Sequence, residues 1–296
     1  MTVRTRAELA LLSTTFVWGS TFVVVKLISN DISSALFIAV RFGIGALLFL
    51  ALLAKQLSSI QARTWKRGIF LGGMLGVGIV LQNYGIYLTT ASKSAFITGL
   101  MVIFTPIAQL ILEHKAPKLG STIGILVVIV GLYLLTSPTG SGINIGDVLV
   151  LIAAAVFGVY IVYMNIFSKN ENPLHLAFLQ VSTTTIIASL AVPFEEITFN
   201  PTSLMIGLLL YMALCATVVT TYVQTRFQRD TTPTRAVIIY TIEPVITSVL
   251  AYFILNEILG IAGVIGGALI TSGILISEFS DIIFTKLGFK ANVIEE

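Results

Sequence analysis

The sequence predicts an all-α integral membrane protein with ten transmembrane helices, arranged as two inverted five-helix repeats. Three observations carry this prediction. The 296-residue chain is 56% hydrophobic and only 10% charged, its apolar runs have membrane-spanning length, and its halves match one another. Soluble domains usually carry about a quarter charged residues, so an ordinary water-soluble enzyme is excluded. A bilayer crossing takes roughly 20 apolar residues, so ten crossings leave only short connections. Continuous runs of that length are helices, because barrel strands would alternate polar and apolar residues over about ten positions.

In chain order the predicted spans are Glu8–Ile28, Ala35–Ala54, Gly68–Leu88, Ser92–Glu113, Leu119–Thr136, Gly146–Asn165, Leu174–Pro193, Ser203–Gln224, Arg235–Leu255 and Gly260–Phe279. The first follows Arg4 and Arg6 as a secretory signal would, but it is too long and lacks an A-x-A cleavage pattern. It is therefore read as a retained span. The organisation is a first repeat over 1–136, a connection over 137–145, a second repeat over 146–279 and a cytoplasmic tail over 280–296. Together they form one compact transmembrane domain.

Charge placement predicts orientation. All 17 Lys and Arg residues except Lys26, Arg41 and Lys93 fall at the termini or at every second connection, as in the cluster Lys55, Arg63, Lys66 and Arg67. Cytoplasmic loops are enriched in these residues, so both termini are expected in the cytoplasm. The segment from Lys55 to Arg67, with Leu57, Ile60 and Trp65 among its charges, reads as an anchor at the inner interface or as a solvated basic loop. Basic residues scattered between apolar blocks do not form a nucleic-acid face. A single Cys215 excludes a disulfide framework, and His114 and His175 lie at or beside separate polar connections, so neither metal nor cofactor is expected. The only N-x-S/T triplet is blocked by Pro201, and the expected location is a bacterial or archaeal plasma membrane.

The halves superimpose with a shift of 139 residues through two spans, placing Trp18-Gly19 on Phe157-Gly158 and Arg41 on Gln180. Beyond that the shift is 142, placing Gln82 on Gln224, Lys93 on Arg235, Gly124 on Gly266 and Gly131 on Gly273. Five spans per repeat force the second copy to enter from the opposite side, and inverted repeats commonly underlie alternating access. Gly120, Gly124 and Gly131, matched by Ala262, Gly266 and Gly273, put small residues on one face of spans five and ten. Such faces allow close helix contact, within the bundle or with another subunit.

A charge at the centre of a span costs about 2.5 to 3.5 kcal/mol on insertion scales, so it faces a partner or a wet cavity. Glu243 in span nine and Arg41 in span two are such charges, at heights within about 10 Å of one another. They are candidates for substrate binding or, alternatively, a structural ion pair. Ser94, Thr98, Met101, Thr105 and Gln109 form one stripe on span four. The 142 shift carries it onto Ala236, Tyr240, Glu243, Thr247 and Ala251, which turns Glu243 into the bundle. Span eight offers Thr217, Thr220, Thr221 and Gln224, span one Thr15, Trp18 and Phe22, and span six Tyr160 and Tyr163. Hydroxyls that bond their own helix, and aromatics that face lipid, are the competing readings. Pro106 and Pro244 are candidate kinks, although they do not coincide under the shift.

The stretch TPTRAVIIYTIEPVITSVLAYFILNEILGIAGVIGGALITSGILI resembles the second half of the EamA family, within the drug/metabolite transporter superfamily. In the first half, TTFVWGSTFV, ALFIAVRF and QNYGIYLTTASKSAFITGL resemble the corresponding spans, so nearly the whole chain is covered. The resemblance implies a secondary carrier in which spans one to four and six to nine enclose a central cavity, with five and ten outside. Substrates in that family vary, so the fold does not transfer a substrate.

The expected function is export of a small metabolite, such as an amino acid or amine, by alternating access and coupled to a proton or an exchanged solute. Glu243, Arg41, Trp18, Tyr240, Gln82, Gln224, Thr98, Thr247 and Tyr160 are the candidate binding or coupling residues. Lys93 and Arg235, at the starts of spans four and nine, are candidate gates, with helix-end snorkelling as the alternative. Within transporters, the alternatives are a nucleoside or organic-anion exchanger and a multidrug exporter. A polyanionic substrate is disfavoured by a single arginine at depth. A membrane-embedded enzyme is disfavoured because H-E-x-x-H, a G-x-S-x-G elbow and a Cys/His pair are all missing. A passive channel is disfavoured because the sequence has neither a filter motif nor a repeated acidic ring.

Overall fold

A computed structural model describes residues 2–115, 119–135, 144–258 and 261–286, and among these every regular element is helical. In chain order these are α1 (Val3–Ile28), α2 (Ser34–Leu53), α3 (Ala62–Leu88), the consecutive pair α4 (Ala91–Gly99) and α5 (Met101–Glu113), α6 (Leu119–Leu135), α7 (Ile145–Ser168) and α8 (Pro173–Ala191). They are followed by the pair α9 (Ser203–Ala213) and α10 (Thr220–Phe227), the pair α11 (Pro233–Tyr240) and α12 (Glu243–Leu255), and α13 (Ile261–Lys286). With each pair taken as one unit, eight are long and apolar enough to cross a membrane. In α6 and α13 the apolar stretches are shorter, Thr122–Gly131 and Val264–Gly273. Thr136, Gly260 and most of the connection over 137–145 lie outside the described residues, as does 287–296.

Local chemistry sets the helix ends. Thr90, Thr202 and Thr232 each accept a backbone N–H in the first turn of the following helix, and Asn144 and Asp147 form a reciprocal capping box on α7. The paired helices α4–α5 and α11–α12 end at His114 (φ 56°) and Asn256 (φ 55°). Left-handed residues of this kind close helices by satisfying terminal carbonyls. The two positions lie 142 residues apart, the offset at which the halves match in sequence. Helix α1 begins at Val3 and α3 at Ala62, each earlier than its apolar run, because Arg4–Glu8 extends the former and Arg63 and Arg67 on the latter hold Glu171. The second part of the expected interfacial segment, from Ala62, is thus the start of α3, with Leu57–Ser59 as a separate turn before it.

The two ends of the bundle differ in charge. At one, Glu171 accepts from Thr64 and Arg67, Glu8 pairs with Arg235, and Arg229 donates to Ser168 O. At the other, Glu195 accepts from the Ala35 and Leu36 amides and from Tyr84, and Glu257 accepts from the Ala91 and Ser92 amides. Acids there cap the helix N-termini of α2 and α4, where the exposed amides favour negative charge. Lys26 at the end of α1 donates to Ile86, Tyr87 and Thr89 carbonyls; Asn165, 139 residues later, donates to the carbonyls of Gln228 and Thr231.

Helices α6 and α13 pack against each other through their small-residue faces. A side-chain carbon on Gly131 would lie 2.8 Å from Gly266 O, and one on Gly273 would lie 2.8 Å from Gly124 O. Such spacing tolerates only glycine, so the partner of each face is within the same chain.

Candidate functional site

A cavity lies where the broken helices meet the middles of α1, α2, α3 and α7, and both halves of the chain line it. The volume open to the centre of a water molecule is about 100 Å³. One water needs roughly 10–15 Å³ by that measure, so the space suits several waters or a small solute. Of the residues singled out from sequence, Trp18, Arg41, Gln82, Thr98, Tyr160, Gln224, Tyr240 and Glu243 line it, alongside apolar Phe42, Leu75, Ile79, Met101 and Phe157. Thr247 does not: its Oγ1 donates to Gly19 O at 2.8 Å, pinning α12 to α1. The stripe that placed Thr247 inward was sound about burial, but a residue one turn below Glu243 reaches the neighbouring helix before it reaches the cavity.

Glu243 is 6% exposed and opens α12, immediately after the break at Thr241–Ile242. Pro244 at the start of the helix fits there because its missing N–H has no intrahelical partner to lose. The carboxylate therefore sits in the first turn of a helix, the end that favours an anion. Among the described residues it forms no ion pair, and specifically none with Arg41. The equivalent break in α4–α5 is at Leu100, six residues before Pro106. Pro106 lies inside α5, so the breaks coincide under the 142 shift although the prolines do not.

Arg41 is held elsewhere. Its Nε donates to Thr217 Oγ1 at 2.8 Å, its Nη2 donates to Ala216 O at 2.9 Å, and the guanidinium lies over the Phe42 ring at 5.1 Å. These acceptors become available because Leu214–Val219, between α9 and α10, is a π-helical turn. Thr217 Oγ1 donates to Met212 O five residues back, which is the π spacing. Widened turns of this kind are frequent at functional sites. The ion-pair reading of Arg41 and Glu243 is thus corrected: neutral acceptors on the π turn hold the arginine. Thr217→Val is expected to lower stability by about 1–2 kcal/mol, because it leaves a buried guanidinium N–H without an acceptor. Thr220→Val, which removes a buried hydroxyl without a hydrogen-bond partner among the described residues, is expected to be neutral or stabilising. Thermal unfolding of the purified variants in detergent checks both signs.

The remaining wall is a polar network. Tyr160 donates to Gln180 Oε1 at 2.7 Å, Gln224 donates to Gln228 Oε1 at 3.0 Å, and Gln228 donates to Ile161 O at 2.7 Å. Tyr240 also reaches Gln228 Oε1 at 3.2 Å and meets Trp18 edge-to-face, with centroids 5.2 Å apart. On the other side Gln82 donates to Thr98 at 2.9 Å. Sequence reasoning missed Gln228, although its i+4 spacing from Gln224 places both amides on one helix face. Lys93 and Arg235 each meet an acid: Lys93 Nζ lies 2.6 Å from Asp147 Oδ2, and Arg235 Nη1 lies 3.5 Å from Glu8 Oε1.

Comparison with known proteins agrees with this architecture. The profile of the EamA-like transporter family matches the chain twice, at residues 5–137 and 144–279. An "Uncharacterized transporter" of Archaeoglobus fulgidus is 32% identical over 273 residues, covering 92% of this chain and 86% of its own. The "Uncharacterized transporter YoaV" of Bacillus subtilis is 25% identical over 288 residues, covering 93% and 97%. A solved crystal structure superimposes with a TM-score of 0.77 at 17% identity, covering 96% of this chain and 99% of that one, which is a likeness of fold alone. With two family matches spanning nearly all of a multi-pass helical chain, and similarity to named transporters along almost its full length, this protein belongs to the EamA-like transporter family of the drug/metabolite transporter superfamily.

Proposed function

We propose that this transporter exports a small amphipathic metabolite carrying an ammonium group, an amino acid or amine, across the plasma membrane by alternating access. The observation that carries the reading is a buried carboxylate, Glu243, that faces the cavity without an ion-pair partner among the described residues. A buried charge without a partner is costly, and a cationic solute supplies what the protein withholds. Trp18 and Tyr240 present aromatic faces and edges that hold an ammonium or an apolar side chain. Arg41 keeps N–H groups beyond the two it commits to the π turn, and these suit a substrate carboxylate. Gln82, Gln224, Thr98 and Tyr160 add hydrogen bonds around the middle; Thr247 acts by packing.

In this reading the chain crosses the membrane ten times, as two inverted five-helix repeats with both termini cytoplasmic. The two family matches and the equivalent helix breaks support the repeats, and the clustering of basic side chains at one end supports the orientation. A proton or a counter-transported solute drives the cycle. A metabolite panel screened by thermal shift, followed by counterflow of the hits in proteoliposomes, tests the assignment. Saturable counterflow of an amino acid or amine is the expected result; linear flux, or a chemical product without flux, would overturn it. Uptake under an imposed pH gradient, with Glu243→Gln for comparison, separates the coupling modes. Equal gradient dependence in the two proteins would remove Glu243 from coupling.

A further inference from the structure

Lys93 and Arg235 occupy matching places, each three residues into its helix after a threonine cap, Thr90 or Thr232. Each reaches an acid in the other half of the chain: Lys93 Nζ to Asp147 Oδ2 at 2.6 Å, and Arg235 Nη1 to Glu8 Oε1 at 3.5 Å. The acids match as well. A shift of 139 carries Glu8 onto Asp147, and a shift of 142 carries Lys93 onto Arg235. The four side chains are sheltered, with exposures of 19% and 5% in the first pair and 6% and 14% in the second.

The pairs lie at opposite ends of α1. Glu8 is near its start, while Lys26 near its end holds the Thr89 carbonyl, adjacent to the Thr90 cap of the helix that carries Lys93. The 18 residues from Glu8 to Lys26 span about 27 Å at 1.5 Å per residue. Trp18, on the cavity wall, falls near the midpoint. One ion pair of this matched kind therefore joins the halves at each end, with the cavity between them, and at the Glu8 end Arg67–Glu171 joins them as well.

An ion pair that joins two bodies must part when those bodies separate at its end, and it need not part when they separate at the other. We propose that Lys93–Asp147 and Arg235–Glu8 are reciprocal latches, such that opening the cavity toward one face breaks the first and keeps the second, and opening toward the other face does the reverse. This rests on the transporter reading above, and adds the acid partners and their alternation.

The test uses the full-length protein in a Cys215→Ser background with Leu75→Cys on the cavity wall as reporter. A membrane-impermeant maleimide is applied to right-side-out and to inside-out vesicles. Lys93→Gln is expected to raise labelling from the Lys93 face and lower it from the opposite face, shifting the ratio on the order of tenfold, equivalent to about 1.4 kcal/mol. Arg235→Gln is expected to shift it the other way. The conservative Lys93→Arg and the reversed pair Glu8→Arg with Arg235→Glu are expected to restore the starting ratio, which separates a lost latch from a misfolded protein. Shifts in the same direction, unchanged ratios, or labelling from both faces that neither restoring variant corrects would overturn the proposal. No transported solute enters the measurement. A reciprocal shift without saturable flux would sink the transporter reading alone, and flux with unchanged ratios would sink the latches alone.

Discussion

Glu243→Gln is expected to cut transport of the best thermal-shift hit by about a hundredfold while leaving the melting temperature unchanged or raised. The two effects have one cause. The carboxylate is buried beside the cavity and has no ion-pair partner among the described residues, so the folded protein bears its desolvation without an ion pair in return. Glutamine keeps the shape and removes the charge, which relieves the apoprotein. A bound ammonium then loses a charge-assisted hydrogen bond in a water-poor pocket, worth about 3 kcal/mol or roughly two decades in affinity. Proteoliposome uptake and detergent melting on the same preparations check the opposed signs. If melting falls along with transport, Glu243 is a structural residue and the substrate assignment fails with it.

The part of the site that was legible in sequence was the part governed by helical periodicity. The stripe Ala236, Tyr240, Glu243, Thr247 and Ala251 is buried throughout, because residues at those spacings share a face whatever the helix packs against. Depth was legible too, since residue count times rise brings Arg41 and Glu243 to the same cavity. What each side chain bonds to was not. The π turn at Leu214–Val219 inserts one residue's worth of backbone into span eight with no glycine or proline to announce it, and it supplies both acceptors of Arg41. The break at Leu100 likewise carries no proline, and Pro106, the proline nearest to it, lies within an intact helix. By contrast the acids that hold Lys93 and Arg235 were within reach. Glu8 and Asp147 fall on each other under the 139 shift, but their partners match under the 142 shift, and an offset in sequence does not show which span starts meet in space.

The second large effect concerns the residues that follow Trp18 and Phe157. Gly158→Val is expected to destabilise the protein by about 3 kcal/mol, at the upper end of overpacking costs. That corresponds to a melting midpoint about 5 °C lower for a chain of this size. A carbon added at Gly158 would lie 2.6 Å from Phe104 Cβ and 3.0 Å from the Thr105 amide nitrogen, so relief requires moving the backbone of α5 and not merely a rotamer. Gly19 makes the corresponding crossing in the other half, where an added carbon would lie 2.8 Å from Ile246 Cβ and 3.2 Å from Glu243 O. Ile246 stands 142 residues after Phe104, so each unbroken helix crosses the broken pair of the opposite half at one glycine. These crossings lie beside the cavity, with Trp18 and Phe157 on its wall. Displacing either helix therefore separates the walls that a solute must bridge, and Gly19→Val is expected to lose transport beyond its loss of stability. Gly73→Ala and Gly207→Ala add a carbon where nothing lies within 4 Å. They should melt at or above the parent temperature, since alanine favours a helix over glycine by about 1 kcal/mol. Melting curves for the four variants decide the matter: equal losses at all four positions would mean that generic helix strain, and not the crossing geometry, sets the cost.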